Sequence, residues 1–189
     1  MFRTVVLFSL AIGLLLGGKL SRLGEVRVKR LPWILASFVL KFVAVFLAGR
    51  VSPEPLLCTA LSVVTYGLLL YGLYPNLNLT GFPLVFAGIV LNFLVIVANQ
   101  GRMPVDVSIL DPVTSAGQIQ ALPLSLIHQV MPQDVRLGFL ADIFKWRFFS
   151  KVPTTFSVGD VLMAVGISWF ILHGMLRGFS CAPKDARIN

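Results

Sequence analysis

The chain has 189 residues, of which 57% are hydrophobic and 13% are charged, and its mean hydropathy is +0.87. Soluble domains average about 45–50% apolar and about 25% charged residues. A small globule always leaves part of its surface in water, so it could not hide this much apolar surface. The composition therefore excludes a water-soluble enzyme, a disordered tail and a DNA-binding module, and it predicts a membrane protein.

The net charge of the chain also fits a membrane protein. Lys and Arg number 16 against 8 Asp and Glu, which gives a net charge of +8. The cations stand at the ends of apolar runs, where they meet anionic headgroups and set topology. We therefore expect membrane lipids as partners and no nucleic acid.

Five apolar runs follow one another along the chain, and they reach or approach the roughly 20 residues that a spanning helix needs. They cover residues 4–18, 32–48, 56–74, 82–98 and 158–177. The predicted fold class is an all-α membrane protein of about five transmembrane helices, with a long extracytoplasmic segment that contains short interfacial helices. The predicted domains are a four-helix transmembrane part (1–98), an extracytoplasmic amphipathic segment (99–157), a last transmembrane helix (158–178) and a tail (179–189).

The loop between the first two runs sets the predicted topology. Its five cations are Lys19, Arg22, Arg27, Lys29 and Arg30. Cytoplasmic loops carry an excess of Lys and Arg. The sequence therefore predicts a multi-pass protein of the bacterial cytoplasmic membrane, with its N-terminus outside and its C-terminus inside.

The segment 99–157 has room for structure besides spanning helices. Leu137, Leu140, Phe144 and Phe148 recur at steps of three and four. This stripe predicts a helix over residues 134–149. The helix would lie either in the plane of the membrane interface or against the bundle, since both places need the same stripe.

Two polar residues interrupt the apolar runs. Lys41 lies in the middle of the second run, where a charge costs roughly 2.5–3.5 kcal/mol. We expect it to face the bundle, either as a contact for a lipid or partner or in a structural pair. Asn92 lies in the middle of the fourth run, and its amide is expected to bond between helices or to contact lipid or a partner.

The start of the last run carries a candidate catalytic residue. Ser157 and Asp160 form a Ser-x-x-Asp pattern, which is typical of a capping box. The alternative is that Asp160 is a carboxyl group at the membrane boundary that does acid–base work. His173 is a candidate ligand for a pigment, and His128 is a loop residue without a partner motif. No metal site and no cofactor are predicted.

The densest polar cluster comes directly after the fourth run. Asn99 and Arg102 lie in it, and Arg102 is expected at headgroup depth. There it would bind a lipid phosphate or pair with Asp106, Asp142 or Asp160. The alternative is an ordinary helix exit with an anchoring arginine.

Two stretches carry a resemblance to a known family. They are Asn-Gln-Gly-Arg-Met-Pro-Val at 99–105, with the apolar residues before it, and Phe-Ser-Val-Gly-Asp-Val-Leu at 156–162. Together they resemble a domain-of-unknown-function family of small multi-pass bacterial membrane proteins. The resemblance implies a bacterial cytoplasmic membrane and no particular activity.

The second stretch is also similar to lipoprotein signal peptidase, an aspartic membrane protease. That family opens its last helix with Phe-Asn-x-Ala-Asp, which implies a catalytic role for Asp160. Its partner aspartate belongs to an Asn-Leu-Ile-Asp-Arg motif, and when Asn92 is laid on that motif, Val95 stands in place of the aspartate. Asp106 or Asp142 would replace it only if the loop folds back to Asp160.

Three functions follow as hypotheses. The leading one is a non-enzymatic accessory or scaffold subunit of a larger bacterial membrane complex, with other membrane subunits as partners. One alternative is an intramembrane aspartate-dependent hydrolase built on Asp160 with Asp106 or Asp142. A further alternative is a small lipid or solute carrier that uses Lys41 and Asn92, although the internal symmetry common in transporters is missing.

Overall fold

A computed structural model of the chain describes residues 1–147 and 153–178. The predicted tail 179–189 and the end of the predicted helix 134–149 lie outside these residues. The α-helices in the described part are α1 (Phe2–Leu15), α2 (Ser21–Gly24), α3 (Leu31–Leu47), α4 (Pro55–Leu73), α5 (Phe82–Ala98), α6 (Ala116–Ala121) and α7 (Val158–Arg177). The strands are β1 (Met103–Val105), β2 (His128–Val130), β3 (Phe144–Trp146) and β4 (Thr154–Phe156).

The five long helices form a bundle in which α5 and α7 pack most extensively. α4 lies against α5, α3 lies against α4, and α1 lies against α7. Prolines at the first turns of α3, α4 and α5 start these helices at the positions where the missing N–H costs nothing. The bundle therefore places α3, α4, α5 and α7 around a shared interior.

The cationic segment after α1 contacts the C-terminal ends of two long helices. The guanidinium of Arg22, in the loop after α1, donates to the carbonyls of Met175 and Leu176 at the end of α7, at 3.1 and 2.6 Å. The amide of Lys29 in the same loop donates to Oδ1 of Asn76, just after α4, at 2.7 Å. The cationic loop therefore lies beside the C-terminal ends of both α4 and α7.

Two helical stretches are long and apolar enough to cross a membrane, Pro55–Asn76 and Val158–Arg177. The other long helices, α1, α3 and α5, are apolar but have 17 residues or fewer. Large apolar side chains are exposed along several of these helices, including Leu15, Phe42 and Leu56. This surface suits a nonpolar solvent and would be costly in water.

The segment between α5 and α7 corrects two of the predictions. The chain is mostly helical but not all-α, because β1 pairs with β2 in parallel and β3 pairs with β4 in antiparallel order. The helix predicted over 134–149 is also wrong in the described part. There the chain forms a short 3-10 helix at Gly138–Leu140 and then strand β3.

Tertiary contacts explain why the stripe in this segment is not helical. Leu137 adopts a left-handed conformation with φ +54°, which interrupts any α-helix. Leu140 is buried in a cluster with Val95 at the end of α5. Phe144 stacks on Phe156 of β4, with ring centroids 5.4 Å apart. The three- and four-residue spacing therefore comes from a turn followed by a strand.

Candidate active site

Hydrogen bonds join Asn92 on α5 to the start of α7. Nδ2 of Asn92 donates to Oδ1 of Asp160 at 3.0 Å, and Oδ1 of Asn92 accepts from the hydroxyl of Ser157 at 2.8 Å. The amide of Ser157 donates to Oδ2 of Asp160 at 3.0 Å, and the amide of Asp160 donates to the hydroxyl of Ser157 at 3.1 Å. The predicted capping box is thus confirmed. Both oxygens of Asp160 accept N–H bonds, the pattern of a carboxylate anion.

Two glycines allow α5 and α7 to approach closely enough for this network. A Cβ atom on Gly88 would collide with the carbonyl oxygen of Gly159. A Cβ atom on Gly159 would collide with Oδ1 of Asn92. The crossing therefore requires a residue without a side chain at both positions, and it fixes the distance between Asn92 and Asp160.

Asp142 is held in place by the main chain of β1. Its amide donates to the carbonyl of Pro104 at 3.0 Å, and its carbonyl accepts from the amide of Asp106 at 3.1 Å. The side chain is buried, and Oδ2 accepts from the hydroxyl of Thr155 at 3.3 Å. Oδ1 is buried and has no hydrogen-bond partner among the described residues.

The surroundings of Asp142 favour its protonated form. Burial, followed by the negative charge of Asp160, raises the pKa of Asp142 to about 7. The bond from Thr155 and the positive charge of Lys41 oppose this change but do not cancel it. Near neutral pH, a large fraction of Asp142 side chains therefore carries a proton. Asp160, by contrast, accepts an N–H bond at each of its oxygens.

A small cavity of about 80 Å³ brings the two aspartates together. We call it the polar cavity; its polar lining includes Lys41, Tyr66, Asn92, His128, Asp142 and Asp160. These residues come from α3, α4, α5, α7, β2 and the turn before β3. The cavity therefore lies where the helix bundle meets the segment between α5 and α7.

Lys41 and His128 are two further titratable groups of the polar cavity. Lys41 is exposed in the isolated chain and lines both this cavity and a larger one. His128 is half-buried. Burial, followed by the positive charge of Lys41, lowers the pKa of His128 to about 4. The imidazole is therefore neutral at physiological pH, with one donor and one acceptor nitrogen.

A larger cavity of about 430 Å³ adjoins the polar one between α3, α4, α5 and α7. We call it the apolar cavity, since most of its lining is aliphatic or aromatic: Ile34, Phe38, Leu69, Leu73, Ile89, Met163 and Ile167 are examples. It shares Lys41, Thr65, Tyr66, Asn92 and Asp160 with the polar cavity. An apolar molecule in this space would therefore reach the polar groups at its end.

The remaining candidate residues lie outside both cavities. Asp106 accepts bonds from the amide and hydroxyl of Ser108 at 2.9 and 2.6 Å, and so caps a short 3-10 helix. Asn99 donates to the carbonyls of Val95 and Arg136, both at 2.7 Å, and so ties the following segment to the end of α5. His173 lies in α7 near its C-terminal end.

Arg102 follows the C-terminal end of α5 and is half-buried. Its Nε is buried and has no hydrogen-bond partner in residues 1–147 and 153–178. The structure therefore does not bring Arg102 into a bond through Nε with any of the three aspartates proposed for it.

Sequence reasoning did not identify Tyr66, Thr155 and His128 as part of a site. Tyr66 stacks on Phe93, with ring centroids 5.5 Å apart, and lines both cavities. Thr155 is a β4 residue that donates to Asp142, which lies just before the paired strand β3. Tyr66 lies on α4 within the bundle. His128 and Thr155 come near the bundle only through strand pairing, and no spacing in the sequence signals that pairing.

Comparisons with known proteins identify a family but no function. Among the described residues, no group of three or more His, Cys, Asp or Glu side chains is placed to hold a metal ion. The model of a family of unknown function, DUF5317, matches residues 25–172. No curated protein and no solved structure matches the chain.

Proposed function

The chain belongs to the DUF5317 family of unknown function, and we propose that it is an intramembrane hydrolase with Asp142 and Asp160 as its catalytic pair. One observation carries this proposal: both aspartates line the polar cavity in opposite environments. Two carboxyl groups whose surroundings separate their protonation states can serve as base and acid. The accessory role stays a prediction, since nothing in the geometry of the cavity favours it.

The surroundings of each aspartate suggest its role. Asp160 accepts two N–H bonds, so it is the base that takes a proton. The pKa of Asp142 is about 7, so most Asp142 side chains hold a proton below that pH. Asp142 is therefore the acid that donates a proton. Lys41 lines the same cavity, and its positive charge stabilises the negative charge that Asp142 acquires when it gives up its proton.

The proposed reaction is hydrolysis of an amide or ester carbonyl. The oxygen of a water molecule bonds to the carbonyl carbon, and the proton that it loses goes to Asp160. Asp142 gives its proton to the carbonyl oxygen, which yields a neutral tetrahedral intermediate. When the bond from carbon to the leaving group breaks, the leaving group takes the proton from Asp160 and the hydroxyl proton returns to Asp142. The products are a carboxylic acid and an amine or alcohol.

The similarity to lipoprotein signal peptidase gains support from the position of Asp142. The sequence places Val95 where that family has its second aspartate. In the structure, the turn before β3 brings Asp142 to the cavity that Asp160 lines. A dyad assembled from a strand-rich segment and the start of the last helix is therefore available, and the proposal extends to this shared chemistry.

We further propose that the chain crosses the bacterial cytoplasmic membrane five times, with α1, α3, α4, α5 and α7 as the spans. The arrangement of helix ends supports this, because the cationic loop lies beside the ends of α4 and α7. Near that loop, Trp33 and Tyr71 contact each other edge-on, and Arg30 lies 4.0 Å from the Tyr71 ring centre. Aromatic and cationic residues of this kind anchor helices at the interface. The cationic loop is then cytoplasmic.

Isotope incorporation tests the hydrolase without knowledge of the substrate. Membranes from cells that lack the chain are mixed with the purified protein in 18O-labelled water. Mass spectrometry then detects products whose new carboxyl group carries one labelled oxygen. We expect labelled products from the wild type and a loss of roughly 10²–10⁴-fold for Asp142→Asn and for Asp160→Asn.

Asp106→Asn is the matched control, because this aspartate caps a short helix outside the cavity. It should label products at the wild-type rate. Equal labelling by wild type and a double Asp142→Asn, Asp160→Asn variant would overturn the hydrolase. A wild type that labels nothing but purifies with a fixed set of membrane subunits would support the accessory role instead.

A further inference from the structure

A third cavity of about 350 Å³ lies within the segment between α5 and α7. We call it the loop cavity; its lining includes Val105, Leu110, Leu122, Ser125 and Thr155. It shares His128 and Asp142 with the polar cavity. The loop cavity and the apolar cavity share no lining residue among those described. The polar cavity therefore adjoins two separate cavities, the loop cavity and the apolar cavity.

Strand β1 fixes the two shared residues on its opposite edges. On one edge, Met103 stands opposite His128 in the parallel pair, and its amide donates to the carbonyl of Ile127 at 2.9 Å. On the other edge, Val105 forms a bridge with Asp142. Asp142 is therefore held by its own main-chain bonds. His128 is held by the main-chain bond of its neighbour Ile127 and by a bond from its own amide to the hydroxyl of Ser125. Both residues line the polar cavity and the loop cavity.

A polar atom of one residue shared by the two cavities has no hydrogen-bond partner among the described residues. Asp142 is 5% exposed, and its Oδ1 has no hydrogen-bond partner in the described part of the chain. A buried polar atom without a partner destabilises the folded protein, because it has lost its bonds to water. A water molecule that bonds to several polar groups removes such a cost. The imidazole of His128 lines the same cavity and offers the second polar group that such a water needs.

We infer that water reaches the aspartates through the loop cavity and that His128 is a positioning residue that holds it against Oδ1 of Asp142. This inference rests on the proposed hydrolase, because it names the source of the water that the reaction consumes. Membrane substrate and water then come from different sides, through the apolar cavity and the loop cavity.

The charges around His128 suit this role. Lys41 of α3 and Asp160 of α7 line the polar cavity with it, and Asp142 stands across β1. The pKa of His128, about 4, keeps the ring neutral at physiological pH. A neutral ring donates one hydrogen bond and accepts another, so it can orient a water without adding a second cation beside Lys41.

Thiol labelling tests the water route independently of hydrolysis. Cys58 and Cys181 are first replaced by serine. His128→Cys and Met163→Cys are then compared in lipid nanodiscs, where both membrane faces meet water, with a charged methanethiosulfonate reagent. Met163 lines the apolar cavity and is the matched control. We expect His128→Cys to react at least about tenfold faster, whereas equal rates, or faster reaction at Met163→Cys, would overturn the route.

Rescue by a polar side chain tests the positioning role. In the isotope assay, His128→Phe fills the space without a hydrogen-bonding group, whereas His128→Asn keeps a donor and an acceptor. We expect His128→Phe to lose at least about tenfold in rate and His128→Asn to recover most of it, with equal thermal stability. Equal rates in the two variants would overturn the role of His128. If the wild type shows no hydrolysis, the proposed function fails, while the labelling rates still decide the route.

Discussion

Asn92 and Asp160 form a 3.0 Å hydrogen bond between α5 and α7, from Nδ2 of the amide to Oδ1 of the carboxylate. Asn92 is 5% exposed, and its Oδ1 also accepts a hydrogen bond from the hydroxyl of Ser157. One side chain in the middle of α5 therefore orients both members of the α7 capping box. The same bond that joins the helices fixes the direction of a candidate catalytic group.

Replacing Asn92 by leucine should therefore destabilise the bundle. The change leaves Oδ1 of Asp160 and the hydroxyl of Ser157 without this partner, at a cost of about 1–3 kcal/mol. A double-mutant cycle with Asp160→Leu, followed by unfolding in detergent, separates the pair from its surroundings. We expect the double variant to lose less unfolding free energy than the two single variants lose together. Strictly additive losses would contradict a direct Asn92–Asp160 interaction.

The glycine crossing gives a second prediction, on stability. Gly159→Ala places a methyl group against Asn92 and should destabilise the protein by about 1–3 kcal/mol, because the helices must move apart. Gly67→Ala on α4 is the matched control, since nothing lies within 4 Å of its added Cβ. That change should be neutral or stabilise by up to about 1 kcal/mol, because alanine favours a helix. Thermal unfolding of both variants measures the difference, and equal losses would rule out a close crossing at Gly159.

The buried carboxyl of Asp142 gives a prediction on the pH dependence of stability. Its pKa rises from 3.8 in the unfolded chain to about 7 in the folded one. Between these values the folded state holds the proton more tightly, so the wild type loses stability as the pH rises from about 4 to about 7. Asp142→Asn does not titrate there. The free energy of unfolding of the variant should therefore rise relative to that of the wild type across this range, by at most about 4 kcal/mol.

Unfolding of both proteins by denaturant at several pH values checks this gain. His128 has a pKa of about 4 and titrates in both proteins, so its contribution largely cancels in the comparison. Asp106→Asn makes the same chemical change at a half-buried helix cap outside the cavities and is the matched control. If the free energies of unfolding of Asp142→Asn and the wild type differ by a constant amount from pH 4 to pH 8, then folding does not raise the pKa of Asp142.

The sequence predicted the helices well because their apolar runs are long and bounded by proline. The second, third and fourth runs each begin within a residue of the helix start observed. The capping box was also readable, since its two residues are local in sequence. Composition and local spacing determine these features, and neither depends on distant contacts.

The segment between α5 and α7 was not predictable in the same way. Its strands have three residues each, and the pairing of β1 with β2 joins residues that are 25 positions apart. Phe144 fits a helical stripe and a stacked strand pair equally well until its partner Phe156 is known. The sequence offered Asp142 only as one of two possible partners for Asp160, the other being Asp106. The turn that brings Asp142 to Asp160 depends on β1. Neighbouring residues in the sequence therefore determine the position of Asp160, whereas contacts between distant residues determine that of Asp142.

The protonation of Asp142 leads to a prediction for the proposed activity. The acid must carry its proton in the free enzyme, and its pKa is about 7. The rate of 18O incorporation at low substrate should therefore level off about one pH unit below 7, reach half of that level near pH 7 and fall about tenfold for each pH unit well above it. Removing the positive charge with Lys41→Met should move this fall to higher pH, since Lys41 lowers the pKa of Asp142. Phe38→Leu, in the apolar cavity, changes no charge and should leave the midpoint in place. A rate that stays constant to pH 9, or a midpoint unmoved by Lys41→Met, would contradict Asp142 as the acid.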